Sequence, residues 1–460
     1  MMASFTIDEI LQAVSGKLIH GGNQDFVKGI STDTRSISVG DAFIALRGDN
    51  FDGHDFLQKA CEAGASAVIV SDERKASAVP SSAAVILVSD TKEALKGLAH
   101  FHRMRFSIPV IGITGSNGKT TTKDMLAAIL GMKYKVCATQ KNFNNEIGLS
   151  FTLLSLEPDT DVCVVEMGMR GLGQITELTD IAAPTMGIVT NVGTSHIGIL
   201  GSRENIAKAK KELIDALPAD GIAVLNGDDP FVSKMGCGFS GKVLKYGLHP
   251  ESDVRGQDIS YQDGTTGFSC LCGKGSFSVK LKLLGIHNVY DALAAITAAK
   301  ALNVEADKIR SALDTFSSSE QRQALVDIGG VGVLDDSYNA NPLSMKMAFQ
   351  SLKQLKGNHY YLVLGDMGEL GKFENELHFQ VGKDAADIGA DGLITVGPLS
   401  RSIAEGAREH GLSVLAECDT CEEAAAVLKK VLRPGDLVLL KGSHYMHMET
   451  VIHYLKESIQ

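Results

Sequence analysis

Short apolar runs alternate with amphipathic segments along this chain of 460 residues. Apolar runs that end in polar residues predict buried parallel strands, and helical periodicity between them predicts βαβ units. In the middle of the chain the predicted strands are Val110–Thr114, Val162–Glu166, Gly187–Thr190 and Ile222–Asn226. Residues 241–283 instead indicate a β meander, because Gly and Asp interrupt the apolar runs.

The segments on either side show the same alternation. Near the N-terminus, short strands are predicted at Ala67–Val70 and Val85–Val88. Residues Thr315–Glu320 are polar and predict a hinge linker. The strands predicted beyond it are Val331–Asp335, Tyr360–Leu364, Leu393–Val396 and Leu437–Leu440. The predicted fold class is α/β with three domains, over residues 1–88, 89–319 and 320–460. The last is a Rossmann-like, doubly wound sheet without the dinucleotide glycine fingerprint.

The first central strand leads into a glycine-rich loop and then a helix. The loop comprises Thr114, Gly115, Ser116, Asn117, Gly118, Lys119 and Thr120. Glycines let backbone N–H groups turn toward phosphate oxygens, the lysine can reach the β- and γ-phosphates, and the threonine hydroxyl can hold Mg²⁺. The strict eight-residue pattern has glycine where this chain has Ile113, so the loop is a shortened variant. The alternative is an ordinary glycine-rich turn, but Gly-Lys-Thr-Thr at a strand–helix junction favours phosphate binding.

Polar residues follow the neighbouring strands at the same predicted edge. Glu166 ends a buried strand, where a Mg²⁺ ligand or a surface glutamate would both fit; its closeness to the phosphate loop favours the metal. His196 follows the next strand and is a second candidate at this edge. Asn144 and Asn145 lie in an amide-rich turn, which suits either a polar substrate or a plain Asx-rich loop.

A lysine falls within the apolar stripe of a predicted helix. At 100° per residue the stripe consists of Ile206, Ala209, Leu213, Ile214 and Leu217. Lys210 lies in the middle of it, whereas Lys208 and Lys211 lie opposite. A buried ammonium is costly and its pKa is lowered. The lysine could snorkel to solvent, or react with CO₂ to form a carbamate that binds Mg²⁺. Spacing alone favours snorkelling.

The predicted C-terminal sheet carries polar segments at the ends of three strands. These segments are Asp335–Pro342, Leu364–Gly371 and Lys441–Ser443. Their common edge indicates a binding face. Three further candidate residues lie along the chain between the two predicted sheets. His287 and Asn288 open an Ala-rich helix, where they could cap it or contact a base. Arg322 follows the linker and could reach a phosphate.

Composition narrows the classes of function. The formal net charge of −11 argues against a general nucleic-acid binder, which needs a basic face. No apolar run is long enough to span a bilayer, and Asp8 and Glu9 argue against a signal peptide. The cysteine pairs at 270–272 and 418–421 lack the second pair that zinc requires. We expect a cytoplasmic, monomeric enzyme that binds no nucleic acid and does not insert into membranes.

In order along nearly the whole chain, these segments resemble the ATP-dependent Mur ligases of peptidoglycan synthesis. Asp335–Pro342 and Leu364–Gly371 resemble the branch that adds D-alanyl-D-alanine. The resemblance implies a ligase whose substrates are ATP, D-alanyl-D-alanine and UDP-N-acetylmuramoyl-tripeptide. It also implies that an acyl phosphate forms and that the domains close around it. Addition of a single amino acid, or action on folate, are alternatives within the family, and both segments argue against them. Outside the family, the alternative is a nucleotide-dependent switch that carries out no ligation.

The resemblance also implies roles for residues by position. Lys119 and Thr120 would hold the ATP phosphates and, with Glu166, one Mg²⁺. His196 and a carbamylated Lys210 would hold a second Mg²⁺. For Lys210 the resemblance therefore replaces snorkelling with carbamylation as the expectation. The nucleotide contacts would be His287, Asn288 and Tyr338 for adenine, Asp336 for ribose and Arg322 for the γ-phosphate. The contacts with the other substrates would be Ser31, Asp33, Arg35, Arg47–His54, Asn144, Asn145 and, for the dipeptide, Lys441. Two positions depart from the family pattern, Asp291 where Asn is usual and His444 where Arg is usual.

Overall fold

The computed structural model describes residues 3–22, 24–48, 50–77, 79–262, 264–273, 275–317 and 321–457. The predicted linker Thr315–Glu320 extends beyond them, since residues 318–320 lie outside the described part. The strands are β1 Phe5–Thr6, β2 Lys17–His20, β3 Phe26–Val27, β4 Ile30–Ser31, β5 Ala42–Ile44, β6 Ala67–Val70, β7 Ala84–Leu87, β8 Val110–Thr114, β9 Val136–Ala138, β10 Val162–Glu166, β11 Met186–Val189, β12 Ile222–Asn226, β13 Lys242–Gly247, β14 Val254–Gln262, β15 Thr265–Cys272, β16 Gly275–Leu281, β17 Ala324–Ile328, β18 Val331–Asp335, β19 Tyr360–Gly365, β20 Gly392–Val396, β21 Val414–Cys418 and β22 Leu437–Lys441.

The α-helices are α1 Ile7–Val14, α2 Leu57–Glu62, α3 Glu73–Ala76, α4 Thr91–Arg103, α5 Lys119–Gly131, α6 Glu146–Leu154, α7 Gln174–Ala182, α8 Ile197–Leu200, α9 Arg203–Asp215, α10 Ile286–Ala301, α11 Ala306–Thr315, α12 Pro342–Gln354, α13 Glu374–Asp387, α14 Arg401–Glu409, α15 Cys421–Val431 and α16 Thr450–Lys456. Short polar side chains begin many of them by capping. Asn341 caps α12, whose first residue is proline, and Thr420 caps α15. Among the described residues, no helix combines the length and the apolar character that a bilayer crossing needs.

The central sheet has the order β16-β15-β14-β13-β12-β11-β8-β10-β9. It is parallel from β9 to β14 and antiparallel from β14 to β16. All four predicted strands are present. The predicted meander is wrong for β13, which pairs in parallel with both neighbours, because apolar pattern does not determine strand direction. β8 lies between β10 and β11, so the loops that follow these three strands meet at one edge.

The C-terminal sheet has the order β17-β18-β22-β19-β20-β21. All its pairs are parallel except β17 with β18, and a separate apolar core covers each face. The predicted doubly wound sheet is confirmed. Its two edge strands, β17 and β21, were not predicted, because each alternates partly buried with exposed residues and forms no continuous apolar run. Helix α13 begins at Glu374, after a 3₁₀ turn at Gly371–Phe373.

The N-terminal sheet has the order β2-β7-β6-β5-β4 and is parallel except for β2. Helix α4 lies between this sheet and the central one and contacts α1, α6 and α7. Leu95 and Leu98 of α4 belong to one buried cluster that also includes Ile10 and Leu149. The predicted α/β class is therefore confirmed, and the N-terminal and central sheets share a core.

Candidate active site

The loop between β8 and α5 turns sharply at two glycines. Gly118 has φ +81°, and a Cβ there would lie 2.1 Å from Asp291 Oδ1. A Cβ at Gly115 would lie 1.8 Å from Thr190 Oγ1. Neither position has room for a side chain. Helix α5 begins at Lys119, directly after Gly118, and its first-turn N–H groups have no partners within the helix, so the loop has the form of an anion site.

Ser116 and Asn117 join this loop to the segment after β11. The N–H groups of both residues donate to Asn191, that of Ser116 to its carbonyl oxygen and that of Asn117 to its Oδ1, each at 3.0 Å. The Gly193 N–H donates to Ser116 Oγ at 2.9 Å, and Thr190 Oγ1 donates to the Asn117 carbonyl oxygen at 2.6 Å. These two loop residues therefore fix the shape of the site.

Thr120 and Glu166 meet at the predicted edge. The Thr120 hydroxyl donates to Glu166 Oε2 at 2.8 Å, and Asn144 Nδ2 donates to Oε1 at 2.9 Å. Glu166 is only 2% exposed, and its N–H donates to Thr139 Oγ1. A buried carboxylate beside a threonine hydroxyl supplies the oxygen donors that Mg²⁺ prefers.

Two lysines lie close enough at this edge to affect each other. Lys119 Nζ donates to the Gly115 carbonyl oxygen at 2.9 Å, and burial lowers the pKa of Lys119. Lys210 is 1% exposed; burial first, and then the charge of Lys119, lower its pKa far below the usual value. Snorkelling, which helical spacing alone favoured before the family resemblance replaced it, is wrong, because the side chain is buried. Within the described residues Lys210 Nζ has no hydrogen bond or ion pair.

His196 follows β11 with a left-handed backbone, at φ +63°. Its Nδ1 contacts Glu369 Oε2, and Arg170 Nε lies 3.1 Å from the other oxygen of that carboxylate. The contact with His196 is the main cause of a lowered pKa for Glu369. Glu369 follows β19, so the C-terminal sheet reaches a candidate ligand of the central sheet.

Asn341 makes a second connection between these sheets. Its Nδ2 donates to Asn117 Oδ1 at 2.7 Å and to Ser195 Oγ at 3.0 Å. Because Asn341 also caps α12, the polar segment after β18 lies directly on the phosphate loop.

The edge of the C-terminal sheet holds a paired lysine. Lys441 is 2% exposed, and its Nζ donates to Asp336 Oδ2 at 2.6 Å and to the Asn339 carbonyl oxygen at 3.0 Å. Burial raises the pKa of Asp336 despite the opposing effect of Lys441. Strands β18, β22 and β19 are parallel neighbours, so the three polar segments that follow them share one edge, as predicted.

The candidates for base recognition lie between the sheets. Asn288 Nδ2 donates to the Leu284 carbonyl oxygen at 2.6 Å, at the start of α10. Burial lowers the pKa of the adjacent His287 to about 4, so its ring is neutral at pH 7. The Arg322 guanidinium stacks on the Tyr338 ring, 4.0 Å from its centroid. Tyr338 in turn contacts the His444 ring, with the centroids 5.4 Å apart.

Three family models match the chain: "Mur ligase family, catalytic domain" over residues 26–103, "Mur ligase middle domain" over 113–299, and "Mur ligase, glutamate ligase domain" over 321–444. A Bacillus subtilis protein named UDP-N-acetylmuramoyl-tripeptide–D-alanyl-D-alanine ligase is 38% identical over 461 residues, which cover 99% of both chains. The chain belongs to the Mur ligase family.

Solved structures agree with this assignment. MurF from Acinetobacter baumannii superimposes with a TM-score of 0.92 at 31% identity, over 99% of both chains. MurF ligase from Thermotoga maritima, solved in complex with ADP, superimposes with a TM-score of 0.84 at 29% identity, over 94% of this chain and 97% of the other.

The N-terminal candidates of this Mur ligase lie far along the chain from the phosphate loop, and Arg35 is exposed whereas Ser31 and His54 are buried. Arg35 Nη2 lies 2.6 Å from Asp33 Oδ2, and Arg35 is the main cause of a pKa of about 2 for Asp33. Ser31 Oγ donates to the Asp33 carbonyl oxygen at 3.0 Å. In the segment Arg47–His54, the His54 Nδ1 lies 2.6 Å from Asp52 Oδ1.

Several polar atoms around the phosphate loop of this Mur ligase are buried without partners in the described part of the chain. They are Thr114 Oγ1, Thr194 Oγ1 and His287 Nδ1; His196 Nδ1 also lacks a well-directed hydrogen bond, although it lies in ion-pair contact with Glu369 Oε2. Buried polar atoms are almost always hydrogen-bonded, so these atoms fit a ligand-binding role. Among the described residues, no three His, Cys, Asp or Glu side chains form a metal cage. Any Mg²⁺ here would also need oxygens from phosphate and water.

No role was predicted for the residues that connect the two sheets. Glu369 and Asn341 lie in predicted polar segments, but their partners are about 170 and 220 positions away in the chain. The fully buried His378 was also missed; its Nε2 accepts from the Met367 N–H at 2.8 Å and so fixes the segment after β19. Asn145 caps α6 by accepting from the Gly148 N–H, a role that the amide-rich turn alone did not predict.

Proposed function

We propose that this Mur ligase joins D-alanyl-D-alanine to the terminal carboxylate of UDP-N-acetylmuramoyl-tripeptide, with conversion of ATP to ADP and phosphate. The observation that carries the proposal is the phosphate loop, with Thr120 hydrogen-bonded to Glu166 and Asn341 of the other sheet hydrogen-bonded to Asn117. Relatives named for this activity, and an ADP complex among the similar structures, support it.

In the proposed reaction, the tripeptide carboxylate attacks the γ-phosphorus of ATP, and ADP leaves. The dipeptide amine then attacks the carbon of the acyl phosphate, an amide bond forms, phosphate leaves and the amine loses a proton. Negative charge develops on oxygen in both steps, so positive groups at fixed positions lower the barriers. Lys119 supplies such a charge at the loop. Arg322 would reach the γ-phosphate by leaving its stacked position on Tyr338.

Two Mg²⁺ ions fit the donors at this edge. Thr120 and Glu166 would hold one, and His196 with a carbamylated Lys210 would hold the other. When bound, the ions neutralise charge on the phosphate oxygens. A carbamate forms from a neutral amine and CO₂, and burial without a counter-ion favours the neutral amine of Lys210.

The remaining assignments extend this proposal over the chain. Residues 1–88 would bind the uridine nucleotide, 89–319 ATP, and 320–460 would close over the nucleotide. The assigned contacts are His287, Asn288 and Tyr338 for adenine, Asp336 for ribose, Ser31, Asp33, Arg35, Asn144 and Asn145 for the uridine nucleotide, and Lys441 for the dipeptide. The enzyme would act as a monomer in cytoplasmic precursor synthesis.

Acceptor dependence tests the proposal. Phosphate release is measured with ATP, Mg²⁺ and UDP-N-acetylmuramoyl-tripeptide, with and without D-alanyl-D-alanine. We expect sustained release only when the dipeptide is present, together with a pentapeptide product seen by mass spectrometry. Release that ignores the dipeptide would indicate a nucleotide switch and would rule out ligation.

A further inference from the structure

The segments after β11 and β19 touch although they belong to different sheets. The Gly198 N–H donates to the Glu369 carbonyl oxygen at 3.1 Å. A Cβ at Gly198 would lie 2.6 Å from the Gly371 nitrogen. This close approach leaves room only for glycine at 198. The main chain therefore sets where Glu369 lies against the central sheet.

The two side chains at this joint belong to residues with uncommon backbone conformations. His196 and Glu369 both have φ +63°. Residues with side chains occupy this region rarely, and they remain there when the surrounding structure holds them. Neither residue is at a free loop tip: the hydrogen bond of Gly198 and the packing of Ile197 against the C-terminal core hold the segments together.

The Glu369 carboxylate is shared between two side chains of the central segment. Oε2 contacts Nδ1 of His196, and Oε1 lies 3.1 Å from Nε of Arg170. The Arg170 side chain is 74% exposed, whereas that of His196 is 23% exposed. A carboxylate on one ring nitrogen fixes the orientation of an imidazole and leaves its other nitrogen for a metal.

We propose that Glu369 is a positioning residue for His196, holding Nδ1 so that Nε2 faces the second Mg²⁺ ion, and that it does so only while the two sheets are docked. This inference rests on the proposed function, because it takes His196 as a ligand of that ion. The second ion site is then complete only in the docked arrangement, so phosphoryl transfer cannot begin before the C-terminal sheet covers the nucleotide.

Two substitutions separate positioning from folding. Glu369→Gln keeps an acceptor oxygen and the side-chain shape, and Glu369→Ala removes both. Glu376→Ala, at an exposed glutamate of α13, is the matched control. Each full-length variant is titrated with Mn²⁺ in the presence of a non-hydrolysable ATP analogue, and histidine nitrogen coupling to Mn²⁺ is measured by pulsed electron paramagnetic resonance.

For Glu369→Ala we expect about tenfold weaker binding of the second Mn²⁺, loss of the histidine coupling and a kcat about 10–100-fold lower, with KM for ATP nearly unchanged. Glu369→Gln should recover part of each property, and Glu376→Ala should match the unaltered enzyme. Unchanged coupling and Mn²⁺ affinity in Glu369→Ala would overturn the inference, even with a reduced kcat. Failure of the proposed function would appear separately, as dipeptide-independent phosphate release by the unaltered enzyme.

Discussion

The central and C-terminal sheets each bury a lysine at the edge that faces the other sheet, but the two lysines differ in their partners. Lys441 is 2% exposed and donates to Asp336 and Asn339. Lys210 is 1% exposed, and it has neither a hydrogen bond nor an ion pair among the described residues. Burial of a charge is tolerated when it is paired, so Lys441 fits the folded protein as it stands. Lys210 can be buried without a partner only if its amine loses the extra proton or is converted to a carbamate.

The largest expected effect comes from the unpaired lysine. Lys210→Ala should lower the rate of ligation by about a thousandfold or more. It removes the proposed carbamate, the anionic ligand that would hold a Mg²⁺ ion near the phosphate. Small carboxylates added to the assay should partly restore the rate, since they can occupy the vacated position. Dipeptide-dependent product formation is the measurement, with the exposed Lys208→Ala as control. An unimpaired Lys210→Ala would remove the carbamate from the mechanism.

The same comparison predicts opposite effects on stability. Lys441→Met should lower the free energy of unfolding by about 3 kcal/mol, because it leaves the Asp336 carboxylate without its partner. Lys210→Met should raise it by about 1 kcal/mol, because it replaces an unpaired buried amine with an apolar chain. Urea unfolding in the absence of Mg²⁺ and nucleotide measures both. A fall in stability for both variants would contradict the difference between the paired Lys441 and the unpaired Lys210.

Asp291, a buried carboxyl group of the central domain, should make stability depend on pH. Burial raises the pKa of Asp291 to about 8, against about 4 in an unfolded chain. Between these values the folded state keeps a proton that the unfolded state loses, so this group's contribution to stability falls as pH rises and levels off above pH 8. Asp291→Asn has no such proton. Its Tm relative to the unaltered protein should therefore increase from pH 5 to pH 8, while exposed Asp314→Asn shows no trend. A pH-independent difference in Tm would contradict the raised pKa of Asp291.

The smallest structural effect is expected at the exposed Arg35 near the N-terminus. Arg35→Ala removes the ion pair with Asp33 but leaves no buried charge behind, so Tm should not change measurably. If Arg35 contacts the uridine nucleotide, KM for that substrate should rise by about tenfold, the loss of one charged hydrogen bond, while KM for ATP stays constant. Arg74→Ala nearby is the control. An equal KM in both variants would remove Arg35 from the substrate site.

Local pattern was enough for the parts of the site built from one stretch of chain. The run Val110–Thr114 and the glycines that follow it predicted both β8 and the turn into α5. Helical spacing also placed Lys210 in the apolar stripe of α9, but it favoured snorkelling over the burial that the structure shows. Pattern failed for β17 and β21, whose exposed alternation lacks an apolar run, and for the direction of β13. It could not pair Glu369 with His196, because tertiary packing alone brings these residues together.

Helix α4 lies between the N-terminal and central sheets, and its leucines complete a core to which both contribute. A cut between residues 88 and 89 would therefore expose apolar surface on both fragments, and neither should fold alone. These two sheets should melt together in one calorimetric transition. The C-terminal sheet, whose two cores consist almost entirely of residues after 320, should melt in another.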